Sequence, residues 1–219
     1  MIKLENADWY QNCNFKIEYV DIEKSELQKK EKLNVYDQIK INTLLNILKS
    51  PMEYATYELS NKFGESNSFI PFRKKGTTNN KYKEHLKNNI GHVDETIYNI
   101  FNNLFESSLY ETFNTMHNDE KHIKINVHYK EITQTTECAV YPNNIVLNNI
   151  KVVGDMSSGI AINGKEVDLS QSTGYHYEEE YFFVYKGEII EEVFAFIESV
   201  KEMVAEFVSK VKSYIEKHK

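Results

Sequence analysis

Arginine is almost missing from this chain: Arg73 stands alone against 25 lysines. Any chemistry that needs a rigid, bidentate guanidinium must use Arg73 or do without. Cysteine is nearly as scarce. Cys13 and Cys138 are too few and too far apart for a disulfide framework or a cysteine-rich zinc site. No apolar run reaches membrane-spanning length and no secretory n-region is found, so a cytoplasmic protein without membrane association is expected. Internal repeats and low-complexity tracts are also lacking.

The 219 residues suffice for one large domain or two small, closely packed ones. With 15 Tyr and 12 Phe the core must be aromatic, and each buried tyrosine hydroxyl needs a polar partner. The net charge of −7 is unevenly placed. Residues 1–116 carry 15 basic against 16 acidic side chains, and residues 117–219 carry 11 against 17. The acidic second part argues against broad affinity for nucleic acid or anionic membranes, while the near-neutral first part leaves room for a local basic patch.

Periodicity divides the chain. Alternation of Phe15, Ile17 and Tyr19 with Lys16 and Glu18 predicts a strand over residues 14–22. Helical spacing follows over about 23–49. A new helix is predicted after Ser50, with Ser50 as N-cap, Pro51 in the first turn and Gly64 as the stop. Residues 65–80 lack periodicity and read as a loop. Helices are expected again over 81–105 and 109–116. From there to about residue 187 the period is two, predicting antiparallel strands. Asn163-Gly164 is the strongest hairpin turn, and Pro142-Asn143-Asn144 and Asn148-Asn149 are further turn candidates. A helix over 188–217 closes the pattern, apolar on one face and Glu/Lys-rich on the other. The fold class is therefore α+β: an N-terminal helical bundle, an antiparallel β-meander and a long C-terminal helix. Residues 1–120 form the mainly helical part and 121–219 the sheet with its helix, packed as one unit.

The stretch "MHNDEKHIKINVHY", Met116–Tyr129, concentrates three histidines. On a continuous strand His122 and His128 would lie about 20 Å apart, and His117 and His122 are five positions apart rather than three or four, so no metal site is expected there. Acid/base chemistry without metal fits better. A neutral imidazole beside a carboxamide and a cation can deprotonate a ribose hydroxyl near neutral pH. The competing reading is a polar helix C-terminus, with Lys121 and His122 facing the last carbonyls.

The segments "SPMEYATYELSNKFG", "KYKEHLKNNIGHVDETIYNIF" and "NDEKH" resemble HEPN-type proteins over roughly residues 40–122, with a looser echo in the C-terminal strand and helix. The resemblance implies a helical bundle that homodimerises and a metal-independent, RNA-cleaving cleft built on an Arg-polar-x-x-x-His motif. Carried over, Asn118 is the polar residue and positioning group, and His122 is the motif histidine and general base. His117 stands at the arginine position as a weak phosphate contact, with Arg73 as an auxiliary cation. A histidine there lacks the permanently charged planar fork. No cofactor is implied. The class implied is bacterial defence or toxin–antitoxin function, with RNA cleavage as one activity. The alternative is a degenerate, non-catalytic member that binds a protein partner through the acidic sheet and helix.

Other constellations carry less. Arg73, Lys74 and Lys75 are the candidate nucleic-acid contacts, with Phe69, Ile70 and Phe72 able to stack on a base or to pin the loop. "GDMSSG" (154–159) is no phosphate loop, because Ile160 follows instead of lysine and a strand instead of a helix. Glu178, Glu179 and Glu180 open a strand whose alternation sends neighbouring carboxylates to opposite faces. Tyr141, Tyr175, Tyr177 and Tyr181 leave open a tyrosine-rimmed small-molecule site.

Overall fold

The computed structural model describes residues 4–141, 145–155, 161–162, 165–166 and 168–218. A single 3-10 turn leads into α1 (Trp9–Gln28), followed by α2 (Val35–Asn61), α3 (Asn79–Ile90), α4 (Glu95–Phe105) and α5 (Ser108–His122). The strands are β1 (Val127–Tyr141), β2 (Ile145–Gly154), the short pair β3 (Ala161–Ile162) and β4 (Lys165–Glu166), then β5 (His176–Tyr185) and β6 (Glu188–Glu192). The last described element is α6 (Val193–Lys217). The fold is α+β.

The expected strand over 14–22 is instead the middle of α1. Its alternation is a coincidence of five residues, because the buried positions Cys13, Val20 and Leu27 recur at helical intervals while Tyr19 and Ile22 face outwards. A capping box fixes the start, with the Asp8 carboxylate accepting from Gln11 N at 2.8 Å and the Gln11 side chain accepting from Asp8 N. The break expected at Ser50 does not occur. Pro51 lies inside α2, and the chain breaks earlier, where Asn34 and Asp37 form the capping box that opens α2. Pro51 removes one helix hydrogen bond, but the buried stripe Ile41, Leu44, Leu48, Met52, Ala55 and Leu59 holds the helix through it.

The single helix expected over 81–105 is two. Gly91 caps α3 at φ +85°, and a Cβ there would meet the Phe63 carbonyl oxygen at 2.9 Å. In turn, α5 runs on to His122, so "NDEKH" is helical and β1 starts only at Val127. The start of the helix expected over 188–217 is β6, whose Glu192 accepts from Phe194 N and Ala195 N to cap α6.

The larger sheet has the order β2-β1-β5-β6, all antiparallel. β5 pairs with the first part of β1 (127–135) and β2 with the second (132–141). Tyr181 and Phe183 of β5 point into the main core, where Phe196, Val200 and Val204 of α6 meet the stripes of α1, α2, α4 and α5. The far end of the β1–β2 hairpin has its own small cluster, Ala139 and Leu169 with Leu147, Ile150, Val152 and Tyr175. Asn163-Gly164 and Pro142-Asn143-Asn144 lie outside the described residues, although β3 and β4 on either side of the first pair antiparallel. Asn149 has the positive φ of a turn residue, 51°, but lies within β2 rather than between strands.

Candidate functional site

The histidine stretch begins on α5 and ends on β1, with α2 beneath it. Helical spacing separates its three candidates. Asn118 and His122, four positions apart, lie on one exposed face of α5. His117 is turned towards α2, where its Nδ1 donates to Asn46 Oδ1 at 2.7 Å, and the Asn46 amide donates on to Glu120. Burial, reinforced by the charges of Lys49, Lys121 and His122, brings the His117 pKa down to about 4. At neutral pH it is an uncharged ring held by a carboxamide, so it cannot act as a permanent cation for phosphate.

The contact between α2 and α5 is a polar seam within an apolar interface. Lys49, 7% exposed, donates to Tyr110 Oη at 3.0 Å and to Asn114 Oδ1 at 2.7 Å, and its ammonium lies 4.9 Å from the Tyr110 ring centroid. Burial lowers its pKa to about 8 against the opposing charge of Glu53. Two turns earlier, Asn42 donates to the Asn126 carbonyl at 3.3 Å, and Asn126 returns a bond to Asn42 Oδ1 at 2.8 Å. Asn42 also lies 3.2 Å from His128 Nε2, which therefore accepts. The proton then sits on His128 Nδ1, a buried atom without a partner among the described residues. Burial brings the His128 pKa to about 4, and its ring stands edge-on to Phe183. His128 is thus a structural residue behind β1, and no group of described His, Cys, Asp or Glu side chains is placed to hold a metal ion.

Arg73 is engaged on every side. Its guanidinium donates to Asn102, to the Thr77 carbonyl at 3.1 Å and to Asn79 Oδ1 at 2.8 Å, and stacks 5.3 Å from the Tyr82 centroid. With Tyr82 Oη donating to the Pro71 carbonyl at 3.1 Å and Ile70 buried, these contacts tie the 65–80 loop to α3 and α4. Lys74 and Lys75 stay exposed at its tip, beside the exposed Phe72, whose ring meets Phe105 edge-on. The structure does not join this loop to Asn118 and His122 by any contact among the described residues.

The sheet sorts the tyrosines and glutamates by alternation. Tyr177, Glu179 and Tyr181 point inwards, and both hydroxyls donate to the Glu179 carboxylate. Burial opposes the charge of Glu179, but those bonds and Lys130 outweigh it and hold its pKa below the ordinary carboxylate value. The tyrosine hydroxyls are therefore consumed internally. The side chain of Tyr141 lies outside the described residues.

The outward face carries a feature that pattern reading missed. Val127 stands opposite Val184, which pairs with Ile189; Tyr129 stands opposite Phe182; and Glu131 stands directly opposite Glu180. Val127 and Ile189 are 57% and 56% exposed, and Ile123 and Ile125 in the segment leading into β1 are exposed as well. The alternation of "HIKINVHY" held that signal, but only the β1–β5 register could pair it with the second row. No family model matches the chain, and no curated protein or solved structure matches it. Among the described residues no helix is long and apolar enough to cross a membrane.

Proposed function

We propose that this chain is a non-catalytic, HEPN-like module that binds a protein partner through the outward face of its sheet. The observation that carries the reading is the Glu131–Glu180 pair, set directly opposite across the ladder beside the exposed Val127 and Ile189 and the half-buried Val184, Tyr129 and Phe182. Like charges facing each other across two strands weaken the pairing, and exposed β-branched residues gain by being covered. A partner segment with alternating lysine and apolar side chains relieves both. Two copies of a chain of net charge −7 repel, and the opposed carboxylates on this face favour a different, basic chain as the partner. An antitoxin-like role in a bacterial defence or toxin–antitoxin pair is consistent with that chemistry. The groups that a nuclease would use to grip phosphate are committed elsewhere, His117 to Asn46 and Arg73 to Asn102, Thr77 and Asn79.

The test is capture from the native host with and without nuclease, using the parent and the double variant Val127→Asp/Glu131→Lys. A partner that survives nuclease and is lost with the double variant supports the reading; a partner retained by the variant refutes it. RNA cleavage is the second reading, favoured by the shared exposed face of Asn118 and His122. Cleavage with metal chelated that disappears in His122→Ala would overturn the non-catalytic assignment.

A further inference from the structure

A cavity of about 440 Å³ opens between the start of α1 and the last third of α2, away from the outward face of the sheet. Trp9, Tyr54 and Tyr57 line it together with the carboxylates of Glu53 and Glu58. The α2 residues arrive there by helical spacing: Glu53 with Tyr57 and Tyr54 with Glu58 are two adjacent i, i+4 pairs, so rings and acids alternate on one face. Trp9 is brought opposite by the α1 capping box one residue before it.

Neither Glu53 nor Glu58 has an ion-pair partner among the described residues. Burial, with the charge of Asp8 nearby, pushes the Glu58 carboxyl above its ordinary range, so a positive charge arriving there would be welcome. Tyr54 already accepts a cation, because the Lys16 ammonium lies 5.5 Å from its ring centroid. An anion would meet two carboxylates. A purely apolar ligand would desolvate them without compensation. A bare metal ion would make no use of three aromatic rings. Asn12 and Ser68 complete the lining, and the occupant that uses both the rings and the carboxylates is a cation with an apolar, weakly hydrated shell.

We propose that this cavity binds a quaternary or methylated ammonium group, with Trp9, Tyr54 and Tyr57 supplying ring contacts and Glu53 and Glu58 the countercharge. The site is built from other elements than the sheet face and stands or falls separately from it. Trp9 is the only tryptophan, so its fluorescence reports occupancy directly. Titration with tetramethylammonium and with choline is expected to give a saturable change, and the neutral choline isostere 3,3-dimethylbutan-1-ol none. Tyr57→Ala is expected to weaken tetramethylammonium binding about ten-fold and Glu58→Gln by a similar factor, by loss of one ring or one countercharge. Both side chains lie at the surface, and an unchanged Tm establishes that each variant is folded; Glu58→Gln carries the test if Tyr57→Ala is not. A trimethyl-lysine peptide and phosphatidylcholine vesicles, titrated in parallel with choline, distinguish a methylated protein, a lipid surface and a free small molecule as the source of the group. Absence of saturable tetramethylammonium binding, equal binding of the neutral isostere, or folded variants that titrate like the parent would each overturn the assignment.

Discussion

Replacing His128 by phenylalanine isolates the cost of a neutral, half-satisfied imidazole behind β1. In the folded chain its pKa falls from the ordinary 6.5 to about 4 because the ring is buried. Between those values the unfolded chain holds a proton that the native chain does not. The stability tied to this group is therefore complete above about pH 6.5 and is lost as the pH falls towards 4. At pH 5 the loss is about 2 kcal/mol, equivalent to roughly 4–8 °C in Tm for a chain of this length. Phenylalanine keeps a ring against Phe183 and removes the unpartnered Nδ1 donor, while Asn42 retains the carbonyls of Gln38 and Asn126. His117 titrates in the same direction in both proteins and cancels in the comparison. Calorimetric Tm values at pH 7.5 and pH 5 are therefore expected to differ less in His128→Phe than in the parent, by that amount, with no loss at pH 7.5. An equal drop in both proteins would refute the argument.

Lys49→Met should be neutral or stabilising at pH 7.5, because it removes a buried ammonium held only by uncharged groups. With a folded pKa of about 8 against 10.5, the parent should gain about 2 kcal/mol between pH 7.5 and 9.5 through this lysine. Denaturant titration should find that gain missing in the variant. Gly91→Ala forces a side chain into φ +85° and against the Phe63 carbonyl, and should cost about 2 kcal/mol or more in chemical denaturation. Asp94→Ala removes the cap on Ile97 N and the acceptor of the Tyr214 hydroxyl at 2.9 Å, an expected loss of about 1–2 kcal/mol by the same measurement.

The α+β class and the long amphipathic α6 were legible because their periods run for many residues. The stripe from Val193 to Tyr214 repeats over some six turns, which no chance alternation can imitate. Residues 14–22 were too short a window, and tertiary burial of Cys13, Val20 and Leu27 decided for helix. Pro51 misled for a related reason: local chemistry favours a break there, and packing of α2 on α1 and α6 overrides it. The candidate residues were found as a cluster in sequence, but a helix distributes neighbours around its axis. His117 and Asn118 consequently do different things, one bonding Asn46 and the other facing outwards. The polar seam had a readable sign. Asn42, Asn46 and Lys49 recur at helical spacing inside an otherwise apolar run, the pattern of polar groups that meet partners across an interface. The opposed Glu131 and Glu180 had none, since a cross-strand partner depends on a register set nearly fifty positions away.

The packing of α6 on α1 and α2 also orders events during synthesis. The chain emerges from the ribosome with the α2 stripe already made, yet the surface that covers it, Val200, Val204 and Val208, follows more than a hundred residues later. Until then α1 covers one side of α2 and the side awaiting α6 stays open to water. Productive maturation of the nascent chain is a race between the elongating ribosome and aggregation, in which a holding chaperone has most to offer before α6 arrives.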